Sequence, residues 1–335
     1  MTRVLINGID GRLGARVAEL LSDDPDVTLI GLGQATPPAP VGRAELLKAR
    51  LTGRQLTELF TSEGVESVVH LAFVGAEGPW MGREEAVQRN VLGTMELLGA
   101  CATAGVQRIV VRSHTVVYGA SPLNPTFIRE SRAVSRGSLR GVLRDFAEVE
   151  LFVNEFAARH PSIAISTLRC APLIGGWSPL VDYLRQPNPR MLTGFDPCFQ
   201  LLHHEDAARA FAKAAVTPLP GPINIASDDT LCLSQAIRLA GQRPATMLEP
   251  MITAALALGN REVLGAWPFD LSFMRHSWVV DTQRARCELG WSPTYSAAEC
   301  VQMLGQAANG ALNEMHDPDE ALRSFLNRRK ATKND

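Results

Sequence analysis

Apolar positions over the first 175 residues fall into short runs that alternate with segments of helical period. Val4 to Ile6, Val27 to Leu32, Leu46 to Leu51, Glu66 to Phe73, Gln107 to Arg112 and Ile163 to Leu168 read as strands, too short for helices and rich in β-branched residues. Between them Leu13, Val17, Leu20 and Leu21 recur at the three-and-four spacing of one helix face. Helices are likewise expected over 52–62, 84–104 and 138–158. Strands that are apolar throughout and alternate with helices predict an α/β fold, a doubly wound parallel sheet of Rossmann type covered on both faces.

After residue 175 this rhythm loosens. Prolines 179, 187, 189, 197, 218, 220 and 222 cut the chain into short pieces. A helix is expected from His203-His204-Glu205-Asp206, a strand at 222–226, and further helices near 234–241, 251–264 and 296–308. The expected division is a dinucleotide-binding domain at 1–175, joined by 201–227, and a smaller C-terminal cap for substrate from 176–200 and 228–335. The cap side chains Arg185, Arg190, Gln200 and Arg209 spell no recognisable substrate pocket.

The junction of the first strand and first helix holds Gly8, Gly11 and Gly14. Glycines there permit a tight turn and close approach of a pyrophosphate, and a helix N-terminus offers N–H donors and positive potential. The spacing is G-x-x-G-x-x-G. An acid that would hold adenosine ribose hydroxyls is expected some twenty residues on. Gly33 and Gln34 stand there instead, and the nearest acids are Asp26 and Glu45. Gln34 offers a ribose hydrogen bond, and Arg12 or Arg43 a partner for a 2′-phosphate, so NAD and NADP both stay open. Trp80, in the loop at 74–82, is either a lid or packing.

Composition adds little but excludes much. An apolar share of 46% with 20% charged residues suits a globular protein, and a net charge of −2 provides no field for nucleic acid or an anionic membrane. No apolar run is long enough to span a membrane, and the opening residues read as a strand and not a signal peptide. The six cysteines are scattered, which is read as mostly buried thiols in the reducing cytoplasm, and no spacing points to a metal. The basic tail at 328–333 is expected to be a frayed end.

Several motifs occur together and in order: Val69-His70-Leu71-Ala72, Asn90-Val91-Leu92-Gly93-Thr94, Ser113 through Val117-Tyr118-Gly119, Leu168-Arg169 with Gly175, His203 with Glu205-Asp206, and Glu288-Leu289-Gly290-Trp291 with Pro293. With the glycine loop, this set resembles the extended short-chain dehydrogenase/reductases, specifically their NAD-dependent epimerase/dehydratase branch, over residues 3 to 300. The resemblance implies that Gly8, Gly11, Arg12, Leu13 and Gly14 face the pyrophosphate. It implies that Leu71, Ala72 and Phe73 line the cofactor, with Asn90 and Ser113 close to it. It also implies a homodimer built on the helices of Asn90 and of residues 138–158.

The family's Tyr-x-x-x-Lys does not carry over. Only Tyr118, Tyr183 and Tyr295 exist, none has Lys four residues on, and no lysine lies between Lys48 and Lys213. Counting from Glu150 and Leu168-Arg169 puts Val142 at the Tyr position and Phe146 at the Lys position. Counting back from Val117-Tyr118-Gly119 puts His114 where a Ser or Thr is expected. His114 is therefore the candidate proton exchanger, with Thr115 beside it, because imidazole titrates near neutral pH. Three functions compete. One is an NAD(P)-dependent protein acting on a nucleotide sugar or similar hydroxylated small molecule with non-standard catalytic residues. Another is a catalytically silent NAD(P)-binding sensor or assembly subunit, and the third is a scaffold without cofactor.

Overall fold

The computed structural model describes residues 1–74, 82–135, 139, 141–175 and 178–304. Trp80, the expected helix start at Ser138, the end of the helix expected at 296–308 and the basic tail lie outside the described residues.

Strands β1 (Thr2–Asn7), β2 (Val27–Gly33), β3 (Glu45–Lys48), β4 (Ser67–His70), β5 (Arg108–His114), β6 (Ala164–Cys170) and β7 (Gly221–Ile225) form one sheet. Their spatial order is β7-β6-β5-β4-β1-β2-β3, and every neighbouring pair is parallel. Chain order runs outward in opposite directions from the β1–β4 pair, so the crevice of a doubly wound sheet opens above their carboxyl ends.

Strand alternation divides the core. Val4 and Ile6 of β1 join Leu13, Val17, Ala18 and Leu21 of α1 (Arg12–Ser22) on one face. Leu5, between them, points to the other face with Leu56 and Phe60 of α2 (Gly53–Glu63). All three strand residues are fully buried, which is why β1 reads as an unbroken apolar run. The α2 helix is bounded by a Thr52–Gln55 capping box and by Gly64 in the left-handed conformation, φ 59°.

The segment expected as one helix over 84–104 is continuous but irregular. It comprises α3 (Arg83–Val87), a π turn at Gln88–Leu92 and α4 (Gly93–Ala104). The wide turn carries Asn90, fully buried, into the protein. Helix α5 (Gly141–Arg159) lays Phe146, Val149 and Val153 on the same face of the sheet as α2 and α4. After α6 (Pro179–Arg185), α7 (His204–Val216) returns to pack on α1, and β7 closes the sheet edge.

The remaining chain forms short pairs: Leu173–Ile174 with Leu202–His203, Ala245–Met247 with Arg190–Leu192, and Cys198–Phe199 antiparallel to Leu231–Cys232. Aromatic rings fill their core. Trp278 stacks on Phe199 at 5.0 Å, and Phe269 and Phe273 meet it edge-on. Three cysteines depart from the expectation of buried thiols. Directly opposed on neighbouring strands, Cys198 and Cys232 form a disulfide. Cys101, Cys170 and Cys300 are buried thiols, and Cys287 is exposed. No helix among the described residues is long and apolar enough to cross a membrane.

Candidate functional site

A cleft of about 450 Å³ opens above the carboxyl ends of β1, β2 and β4. Gly8, Gly11, Leu13, Gly14, Gln34, Leu71, Ala72 and Phe73 line it, together with Asp10, the Ala49–Leu51 stretch, Arg89 and Arg112. The glycines do different jobs. A Cβ on Gly14 would fall 2.1 Å from the Gly8 carbonyl oxygen, backbone against backbone. Gly8 has φ +97°, and a Cβ there would sit 2.7 Å from the Ala72 amide nitrogen. Both are demanded by the turn itself. Gly11 is different, since a Cβ on it would have only the Gly8 oxygen nearby, at 3.4 Å.

Gly11 is the N-cap of α1 and supplies no side-chain cap, and no acid occupies the first turn. The first intrahelical bond is Ala15 N–H to the Gly11 oxygen, 3.0 Å. The N–H groups before Ala15 thus lie at the positive helix end with no side chain over them. This bare end is suited to a pyrophosphate, and the glycine cradle fits the nucleotide that the loop implies. Arg12, exposed at the helix start, does not line the cleft.

Asn90 and Ser113 also stand away from the cleft lining, and their hydrogen bonds show why. Asn90 donates to the Val74 oxygen (3.1 Å) and to Asp145 (2.9 Å), and accepts from Val74 N–H (2.8 Å). Asp145, fully buried, takes both guanidinium arms of Arg83. Asn90 therefore ties the end of β4 to α5, and its two amide hydrogens are committed. Ser113 is buried and donates to Glu150 at 2.7 Å. Glu150 in turn pairs with Arg169, which donates to Tyr118 Oη at 2.6 Å, and Tyr118 donates to Asn224 at 2.7 Å. Burial pushes the Tyr118 phenol up to about 12, so this tyrosine is a structural donor and not a proton shuttle.

His70 belongs to the framework as well. Its Nδ1 accepts from Asn7 (3.1 Å), and its Nε2 donates to Thr94 Oγ1 (2.8 Å), which donates on to the Asn90 oxygen. Desolvation lowers His70 to about 4, keeping it neutral.

A run of rings leads from the cleft to His114. Phe73 stacks on Phe146 with centroids 4.7 Å apart, and His114 lies 6.1 Å from Phe146 and 6.4 Å from Phe269. His114 thus sits where the sheet meets the C-terminal segment. Its Nδ1 accepts from Val116 N–H at 3.1 Å, leaving Nε2 as the N–H in the neutral ring. Burial, helped by the charge of Arg112, lowers His114 to about 3. Held neutral in this way, the ring offers an oxygen a hydrogen-bond donor through Nε2. Thr115 is buried at the start of the following 3-10 turn, Thr115–Tyr118.

His203 accepts from Glu205 N–H and packs on Tyr295, 3.9 Å between ring centroids. Among the described residues no cluster of three His, Cys, Asp or Glu is placed to hold a metal. Asp10, which none of the sequence motifs singles out, accepts through its carboxylate from Gln34 N–H (2.7 Å) and Ala35 N–H (3.0 Å). The signal was available as an acid inside the glycine loop facing a strand end that lacks one.

Comparison with known proteins agrees with this geometry. Residues 4–176 match the model of the NAD dependent epimerase/dehydratase family. Uncharacterized protein Rv0501 of Mycobacterium tuberculosis is 32% identical over 316 residues, covering 88% of this chain and 81% of that protein. Among solved structures, UDP-glucose 4-epimerase from Thermotoga maritima, with UDP-glucose, superposes with TM-score 0.69 at 17% identity, covering 93% of this chain and all of the other. UDP-glucuronic acid 4-epimerase from Bacillus cereus, in complex with NAD, gives 0.67 at 16% identity over 92% of this chain and 99% of that one. At such identities these likenesses speak for the fold.

Proposed function

The chain belongs to the NAD dependent epimerase/dehydratase family, and on that premise we propose that its cleft binds NAD(P) beside a nucleotide sugar or similar hydroxylated small molecule. The observation that carries the reading is the uncapped α1 terminus behind Gly8, Gly11 and Gly14, with no room for a Cβ at Gly8 or Gly14. When bound, the dinucleotide would supply hydride chemistry. Residues of this chain would do the rest: Gly11 and the α1 N–H groups bind the pyrophosphate, and Leu71 to Phe73 form an apolar wall. His114 donates Nε2–H to a substrate oxygen from the place where the family carries Ser or Thr. Val142 and Phe146 leave no phenol–ammonium pair, so the proton taken from or given to substrate passes through the substrate, water or a cap residue. The nucleotide-binding part is residues 1–175 with 201–227, and the cap is the remainder.

The reading is supported by solved structures of the same fold, one with UDP-glucose and one in complex with NAD. Its test is fluorescence titration with NADH and NADPH, then UDP-glucose turnover by wild type and His114→Ala. NADH binding in the micromolar range is expected, with about a hundredfold lower kcat in the variant and nearly unchanged NADH affinity. Absence of binding at millimolar nucleotide sinks the whole reading. A second reading, a silent NAD(P)-binding sensor or assembly subunit, is favoured by the Phe73–Phe146 stack at the Lys position. Under it, nucleotide binds but no sugar nucleotide turns over. Homodimerisation through α4 and α5 belongs to the same proposal; Leu92 and Met95 expose apolar surface beside them, and light scattering gives the mass.

A further inference from the structure

The end of β2 holds Gly33, where a dinucleotide site of this kind ordinarily carries an acid for the adenosine ribose. The acid is present in space. Asp10, from the middle of the glycine loop, lines the same cleft and lies against that strand end. One carboxylate oxygen accepts from both Gln34 N–H and Ala35 N–H, at 2.7 and 3.0 Å. The two positions are sterically coupled. A Cβ on Gly33 would meet Asp10 Cγ at 2.7 Å, and Cβ and Oδ1 at 2.9 Å, all of them side-chain atoms of Asp10. Gly33 has no left-handed backbone that would require glycine. The strand end is therefore a glycine because the carboxylate from the loop fills the space its side chain would need.

We propose that Asp10 is the residue that selects NAD over NADP, an acid transposed from the end of β2 to the glycine loop. The inference rests on the nucleotide-binding reading above and deepens it. A carboxylate is an acceptor only, which suits a pair of ribose hydroxyls. The same group defeats a 2′-phosphate twice. It sets a negative charge against the phosphate, and it consumes the Gln34 and Ala35 N–H groups that would otherwise serve as anion donors at the strand end. Gln34 adds no charge to compensate.

The test is paired titration with NADH and NADPH on wild type, Asp10→Asn and the double variant Asp10→Gly/Gly33→Asp, each checked for an unchanged Tm. Asn keeps an oxygen for the two N–H groups, so the turn survives while the charge goes. Wild type should bind NADH at least about tenfold more tightly than NADPH, the worth of one charge-assisted hydrogen bond. Asp10→Asn should bring that ratio close to one. The double variant removes every Asp10 atom that blocks Gly33 and returns the acid to the strand, so it should restore the preference for NADH. A wild-type preference for NADPH, equal binding of the two, or an unchanged ratio in Asp10→Asn overturns the inference while leaving nucleotide binding intact. Binding of neither nucleotide by wild type overturns the underlying reading and this inference with it.

Discussion

The glycine loop and the space between β5 and α5 lie on one sheet and meet opposite demands. At the loop, recognition is by backbone: N–H groups of α1, turned by glycines that cannot accept a Cβ. Between β5 and α5, the family's chemistry is by side chain, and here Val142 and Phe146 occupy the positions that resemblance assigns to Tyr and Lys. Phe146 is almost fully buried and stacks on cleft-lining Phe73, so its ring backs the cleft from within the core. A backbone site is kept by a few small residues that the turn needs in any case. A side-chain site is free to change as soon as replacements fill the same volume. The glycine turn is thus set by backbone geometry, and the contact between β5 and α5 by packed side chains.

The largest expected effect tests whether the β5–α5 region is now held by structure alone. Glu150 and Arg169 are a buried ion pair, extended by Ser113 and Tyr118. Glu150→Ala leaves the guanidinium buried without its carboxylate and should cost about 3–5 kcal/mol in urea denaturation. NADH affinity of the folded remainder should not change, because the network stands apart from the cleft lining; a parallel loss of affinity breaks the separation drawn above. Next in size is Gly14→Ala, whose methyl would press on the Gly8 carbonyl, for about 1–3 kcal/mol and loss of NADH binding. Gly11→Ala sharpens the contrast. It should leave stability within about 1 kcal/mol and weaken only binding, since its methyl would project from the helix end where no protein atom but the Gly8 oxygen is near.

The sheet was legible because burial on both faces forces apolar runs, and the Val4–Ile6 and Val68–Val69 runs have nothing polar to hide them. Glycine spacing marked the cleft for the same physical reason. Motif position does not say where a side chain spends its hydrogen bonds, and those of Asn90 and Ser113 go to Asp145 and Glu150. Asp10 meets the end of β2 only once the sheet has formed, a contact that no local spacing encodes. The sequence also left His114 looking like a titrating group, since the Phe146 and Phe269 rings that desolvate it are 32 and 155 residues away. Pairing of Cys198 with Cys232 was equally nonlocal, set by two short strands lying antiparallel.

The smallest effect concerns the histidines and separates framework from chemistry by pH. An unfolded imidazole titrates near about 6.5. In the folded chain His70 is lowered to about 4 by burial, and His114 to about 3 by burial and the nearby Arg112. Below the unfolded value the unfolded chain binds protons that the folded chain refuses, so stability rises with pH across this window. The contribution is fully present above about pH 6.5 and is lost as pH falls toward the folded values. Each such group adds a slope of up to about 1.4 kcal/mol per pH unit. His203, lowered in the same direction by partial burial, adds a lesser share. Denaturation of wild type and His70→Gln at about pH 7 and about pH 5.5 should give average slopes that differ by about 0.6 proton. Equal slopes mean that His70 titrates in the fold as it does in the unfolded chain, and then the buried Asn7–His70–Thr94 chain does not hold its ring neutral. The corresponding pair with His114→Ala decides the other half: an equal slope there means that His114 titrates in the fold as it does in the unfolded chain, and an unequal one that the fold holds it neutral.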